Sequence, residues 1–201
     1  MQKHRIQYMA KVAILGALAG VIMLLECPLP FAPPFYQLNF SEIATLISGF
    51  ALGPVAGVLA ELIKILVNLI FTGTKTMFVG ELSSFIMGVS FVLPAAILYK
   101  HKKCFKTAVI GMVLGTVSLT VVGAVMNYAV IIPAYVKFMG LTEGAIISMG
   151  TAVNGSINSL GSLVLFATVP FNLVKGVCCS FLTALIYKRV SPILHKNFGK
   201  K

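Results

Sequence analysis

The sequence predicts an all-α integral membrane protein of six transmembrane helices, with both termini cytoplasmic and a single domain over 1–201. The first observation behind this is composition. The chain is 58% hydrophobic and 10% charged, and its five carboxylates are all glutamates; its mean hydropathy is +0.98. Such a chain cannot be divided into a soluble core and a polar surface. The second is the placement of the basic residues, which gather outside the apolar runs: Lys3, Arg5 and Lys11; Lys100, Lys102, Lys103 and Lys106; and Lys188, Arg189, Lys196, Lys200 and Lys201. The positive-inside rule makes these blocks cytoplasmic, which requires an even number of crossings. The third is proline and glycine punctuation, which cuts the apolar sequence into helix-sized pieces.

The first span is read over 9–25, where Glu26 and the proline-rich stretch from Pro28 to Pro34 end the helix. The basic start followed by an apolar run also resembles a signal peptide, but no small-x-small cleavage site precedes Cys27-Pro28, so it is kept as a span. Two interleaved small pairs lie on it, Ala13 with Ala17 and Gly16 with Gly20. That spacing lets another helix approach closely, whether from this chain or from a partner. Residues 27–40 then form a stiff outer loop carrying Phe35, Tyr36 and Phe40. It is either a lid over a pocket or an interfacial anchor.

A helix start at Ser41-Glu42, capped by Ser41 or Asn39, opens a short run ending at Gly53-Pro54. Eleven or twelve residues cover about 18 Å of a hydrocarbon core about 30 Å thick, so this helix needs support from neighbouring protein. A third span follows over 54–71 after a tight cytoplasmic turn. Within it Glu61 and Lys64, at i, i+3, can neutralise each other. Span four is read over 77–99, with Glu81 placed to cap its first turn or to meet a polar ligand. Span five is read over 107–135, with Gly111, Gly115 and Gly123 allowing close contacts and Asn127 near its outer end. Residues 140–166 are read as an outer excursion with a short interfacial helix, and the last span covers 168–187.

Polar residues inside apolar runs are the candidate site. A charged side chain there costs roughly 2.5–3.5 kcal/mol and mostly faces a cavity or partner. Asn172 and Lys175, one turn apart in Pro170-Phe171-Asn172-Leu173-Val174-Lys175-Gly176, share a helix face. Asn127 has a matching depth. The alternatives are a lysine snorkelling to the interface and an amide serving as helix glue.

Several functions are excluded or disfavoured. The Thr72-Gly73-Thr74-Lys75-Thr76 loop lacks the spacing of a phosphate-binding loop, so no ATP site is visible. Cys27, Cys104, Cys178 and Cys179 form no metal pattern. His4, His101 and His195 fall in cytoplasmic tails or loops, which argues against an intramembrane enzyme. The net charge of +11 is explained by anionic lipid on the inner face, and no nucleic-acid partner is called for.

These residues together resemble a known family, the riboflavin-specific S components of energy-coupling factor (ECF) vitamin transporters, the RibU family. The resemblance rests on Ala13-x-x-x-Ala17, Leu38-Asn39-Phe40-Ser41-Glu42-Ile43, Phe50-Ala51-Leu52-Gly53-Pro54-Val55-Ala56-Gly57, the Thr-Gly-Thr loop, Asn127-Tyr128-x-x-x-x-Pro133, and Pro170-Phe171-Asn172-x-x-Lys175-Gly176. It implies a multi-pass protein of the bacterial plasma membrane that binds riboflavin from outside as cargo, with no cofactor. Delivery would require a transmembrane coupling subunit and two cytoplasmic ATPases. It also implies a site built from Asn127, Asn172 and Lys175, with Tyr36, Gln37, Leu38, Asn39, Phe40, Thr45 and Gly80 around the ring and ribityl chain, and Ala13 and Ala17 contacting the coupling subunit. Asn39 stands where the family usually has an aspartate, and Ser84 where an asparagine is common. An S component for a different vitamin is the nearest alternative.

Overall fold

A computed structural model describes residues 2–74 and 76–196, with side chains described for 4–74 and 76–187. Lys75, Lys200 and Lys201 lie outside the described residues, as do the side chains of Lys3, Lys188, Arg189, His195 and Lys196. The chain runs through α1 (Gln2–Met23), a short hairpin of β1 (Cys27–Pro28) and β2 (Gln37–Leu38), α2 (Glu42–Leu52), α3 (Pro54–Thr72) and α4 (Val79–His101). It continues with α5 (Phe105–Met126), α6 (Ile132–Met139), α7 (Glu143–Thr151), α8 (Leu160–Leu163) and α9 (Val169–Lys196). Two π-helical segments, Asn127–Ile131 and Val164–Thr168, join α5 to α6 and α8 to α9. Among the described residues, five helices are long and apolar enough to cross a membrane: His4–Met23, Pro54–Thr72, Val79–His101, Phe105–Met139 and Leu160–Tyr187.

The sixth apolar helix, α2, has 11 residues and so spans about 16 Å. It survives because protein surrounds it: Ala44, Thr45, Leu46, Ser48, Gly49 and Phe50 are all buried. Gly53 ends it at φ +104°, a conformation that glycine adopts without a Cβ clash. Pro54 then opens α3 at a position where its missing N–H costs nothing. The two helices fold back so closely that a Cβ on Gly57 would lie 3.2 Å from Gly49 Cα, and the Ser48 hydroxyl donates to the Ala56 carbonyl at 3.1 Å. Leu46 and Phe50 extend this packing into the main core with Phe91, Val92, Tyr99, Met112, Leu119, Cys179 and Tyr187.

The interleaved small residues of α1 divide cleanly. Gly16 and Gly20 face α3, where added Cβ atoms would come within 2.7 Å of Ile63 Cβ and 2.6 Å of Val67 Cβ. Ala13 is exposed and Ala17 half-buried, at the edge of the face that carries the two glycines.

Several sequence-based expectations are corrected. The fifth and last helices are longer than read, because π segments carry them to Met139 and back to Leu160; the outer excursion is correspondingly shorter. Its short helix, α7, packs through Ile146 on Ile132, Ile157 and Leu163. Glu81 is not the cap of α4. Thr74 and Thr76 hydroxyls accept the Phe78 and Gly80 N–H groups at 2.9 Å each, while Glu81 accepts from Thr76 at 3.0 Å. At α2, Ser41 makes no side-chain cap; Asn39 Oδ1 instead accepts its hydroxyl at 2.7 Å.

The two faces of α1 give a contrast in stability. Gly16→Leu should force α1 off α3 and cost about 1–3 kcal/mol, the usual range for overpacking. Ala13→Leu should leave the thermal unfolding midpoint in detergent unchanged, as followed by circular dichroism at 222 nm.

Candidate functional site

Where the end of α5 meets the start of α9, two amides flank one glycine. Asn127 Nδ2 donates to the Gly123 carbonyl at 2.8 Å, and a Cβ on Gly123 would lie 2.5 Å from Asn172 Nδ2. Glycine is required here so that the Asn172 amide can lie against α5. The Met87 Sδ-methyl also meets this point, 3.1 Å from the same Cβ position.

Asn127 is partly satisfied within the fold. The Tyr36 hydroxyl donates to its Oδ1 at 2.8 Å. A phenol has one proton, so at the 2.6 Å contact between Tyr36 and Thr168 the threonine must donate. Tyr36 therefore joins the residue that opens the first π segment to the residue that closes the second. Such segments are frequent at functional sites. The Tyr36 ring stacks on Phe171 with centroids 5.1 Å apart, and Phe171 is buried with Ala32 and Leu38. The loop is thus packed onto the start of α9 through Tyr36 and Leu38.

Asn172 differs. It is fully buried, yet neither its Nδ2 nor its Oδ1 has a hydrogen-bond partner in the protein. Leaving a buried polar atom unpaired costs about 1–3 kcal/mol, and most buried side-chain polar atoms are paired. One turn on, Lys175 Nζ lies 2.9 Å from Glu42 Oε1. Sequence separation hid this partner, and the snorkelling alternative for Lys175 is excluded by it. The same Oε1 meets Lys64 Nζ at 3.4 Å, and Lys64 meets Glu61 Oε2 at 2.5 Å. The i, i+3 pair read from the sequence is therefore one end of a four-member chain.

The other sequence-named residues sit around this frame. Asn39 and Thr45 are buried; the Asn39 carbonyl meets Cys179 Sγ at 3.9 Å, one turn below Lys175, and Thr45 donates to the Glu42 carbonyl at 3.1 Å. Leu38 and Phe40 pack with Phe171 and Tyr36. Gln37 is exposed on β2 opposite Pro28. Gly80 belongs to the separate Thr76 cap of α4. Sequence reasoning gave no site role to Glu42, Thr168 or Met87; Glu42 carried a signal, being a carboxylate in an apolar run.

A bundle of apolar helices long enough to span a membrane, with a polar cluster where the β1–β2 loop packs on α9, defines a membrane protein with buried polar groups free of protein partners. The family model for the ECF transporter, substrate-specific component, matches residues 7–187, and the chain belongs to that family. Among its relatives are the riboflavin transporter RibU of Staphylococcus aureus (strain TCH60), 32% identical over 92% of this chain and 90% of that protein, and the riboflavin transporter FmnP of Bacillus subtilis (strain 168), 30% identical over 96% of each. The solved structure titled "Structure and mechanism of the S component of a bacterial ECF transporter" superposes with a TM-score of 0.73 at 30% identity, covering 94% of this chain and 98% of that one. The relatives are named as transporters, and transport, not catalysis, is the activity of the family.

Burial pushes the Tyr36 phenol above its ordinary range, against the opposing effect of the Thr168 hydrogen bond. The sign follows: the neutral phenol is favoured in the fold, so its stabilisation is complete below about pH 10 and is lost only as pH rises beyond. Ultraviolet difference titration of the protein and of Tyr36→Phe should give the same tyrosinate absorbance up to about pH 10.5, since Tyr36 does not ionise there.

Proposed function

We propose that this chain is the riboflavin-binding S component of an ECF importer in a bacterial plasma membrane. It captures the vitamin from the outer side and delivers it by joining a transmembrane coupling subunit and two cytoplasmic ATPases. The observation that carries this reading is Asn172, with both amide atoms buried and unpaired beside Asn127 and one turn from Lys175. Riboflavin offers a flat tricyclic ring whose imide-like edge presents two carbonyls and one N–H. Two amides can donate and accept along such an edge, and an ammonium can donate to a carbonyl. A ligand lacking those groups leaves the buried amides unpaired and is rejected. The names of the relatives favour riboflavin over another vitamin.

In this reading α2 is a sixth crossing, shortened because protein supports it, and both termini are cytoplasmic beside the basic blocks. Tyr36, Leu38, Asn39 and Phe40 belong to the cover over the ring, with Gln37 at its rim. Thr45 supports the site from below through Glu42, and Gly80 lines the ribityl side. Ala13 and Ala17, left outward when Gly16 and Gly20 take the contact with α3, form the face for the coupling subunit.

The purified protein should carry a flavin absorption spectrum or quench added riboflavin fluorescence. Asn172→Ala and Lys175→Ala should each weaken binding by about tenfold to a hundredfold, the equivalent of 1.4–2.8 kcal/mol, without loss of helicity. A preparation that takes up biotin or thiamin but no flavin would refute the assignment. Ala13→Leu with Ala17→Leu should leave riboflavin affinity intact and abolish cellular uptake of labelled riboflavin; normal uptake would reject the docking role.

A further inference from the structure

The ion chain beneath the amides is graded in depth. Side-chain exposure falls from 14% at Lys175 to 5% at Glu42, 1% at Lys64 and 0% at Glu61. Two ammoniums and two carboxylates alternate, so the chain is neutral in sum, and Lys175 is its member nearest accessible space. Glu42 is the junction. Its Oε1 is shared between Lys175 and Lys64, and its Oε2 lies 3.2 Å from the Ser41 hydroxyl. Lys64 is held from behind by Glu61, whose carboxylate packs against Gly88 of α4. Apart from Lys175, the Glu42 carboxylate therefore has Lys64 at one oxygen and the Ser41 hydroxyl beside the other.

We infer that Glu42 is a positioning residue for the flavin site: it accepts a hydrogen bond from one of the three ammonium N–H groups of Lys175, balances the charge, and leaves the other two aimed at the ligand. The inference rests on the reading of this pocket as a riboflavin site. Lysine is a point charge on a flexible four-carbon stem. Without a fixed anion its head turns toward accessible space. That change removes the donor from the ring edge, although Lys175 itself is untouched. Lys64 keeps Glu61 as partner when Glu42 is replaced, so the deeper pair stays neutral.

The test is a double-mutant cycle on the purified full-length protein in detergent, with riboflavin as the probe and quenching of its fluorescence as the readout. Glu42→Gln should weaken binding about tenfold, the scale of a lost charge-assisted hydrogen bond. In the Lys175→Met background the same change should cost less than about twofold, so the two losses do not add. Glu42→Asp, which keeps the charge but withdraws it, should recover part of the affinity. Where Glu42→Gln cannot be purified folded, Glu42→Asp carries the same cycle. Unchanged affinity, or equal losses with and without Lys175, overturns the positioning role and leaves the riboflavin reading standing. Failure of the unsubstituted protein to bind riboflavin removes the reading itself, and with it this inference.

Discussion

A charge inside an apolar bundle must be neutralised where it stands, and in this protein that requirement ties three helices together. Glu42 at the start of α2, Glu61 and Lys64 in α3, and Lys175 in α9 lie in one continuous set of ion pairs. Each charge alone would cost roughly 2.5–3.5 kcal/mol in such surroundings. Paired, they can be kept only in one relative placement of the three helices, because moving any one orphans another. Helices in lipid gain little from apolar contact with each other, so packing and polar pairs decide how they associate. The short α2 depends on this most. It is too short to cross an unmodified bilayer core and is held by the charges at its N-terminal end and by the Gly49–Gly57 contact at its C-terminal end.

With that frame in place, the outer end of the molecule has a separate organisation. Tyr36 reaches from the β1–β2 loop to both π segments, bonding Asn127 in one and Thr168 in the other. Asn127 opens one π segment and Thr168 closes the other, and the Tyr36 hydroxyl links the two. The loop is closed over α9 by stacking on Phe171. The loop thus meets the helices at Asn127, Thr168 and Phe171, so its order depends on groups that the riboflavin reading places in the site.

Much of this was legible in the sequence because the signals were local or compositional. Hydropathy and the basic blocks gave the membrane class; Gly53-Pro54 gave the α2–α3 turn; the i, i+3 spacings gave Asn172 with Lys175 and Glu61 with Lys64. What stayed hidden was non-local or conformational. Nothing near Lys175 in the chain announces Glu42, 133 positions away by subtraction of their numbers. π segments have no simple residue signature, so helices α5 and α9 ran longer than hydropathy and turn residues suggested. Span spacing could not decide which small pair of α1 faces inward; burial did, by placing Gly16 and Gly20 where no Cβ fits.

The contrast between the two amides explains how such a fold can discriminate without performing chemistry. Asn127 is anchored by Gly123 and Tyr36, which fixes its orientation and leaves one amide proton and one lone pair for a ligand. Asn172 is held in place by packing alone, with its whole hydrogen-bonding capacity unused. The protein bears about 1–3 kcal/mol for each such atom, and a ligand with complementary edges recovers it on binding. A ligand of the same shape without those edges recovers nothing and adds its own desolvation cost. In the riboflavin reading, selectivity follows from this unsatisfied group: Gly123 leaves the Asn172 amide room, and no side chain of the protein pairs with it.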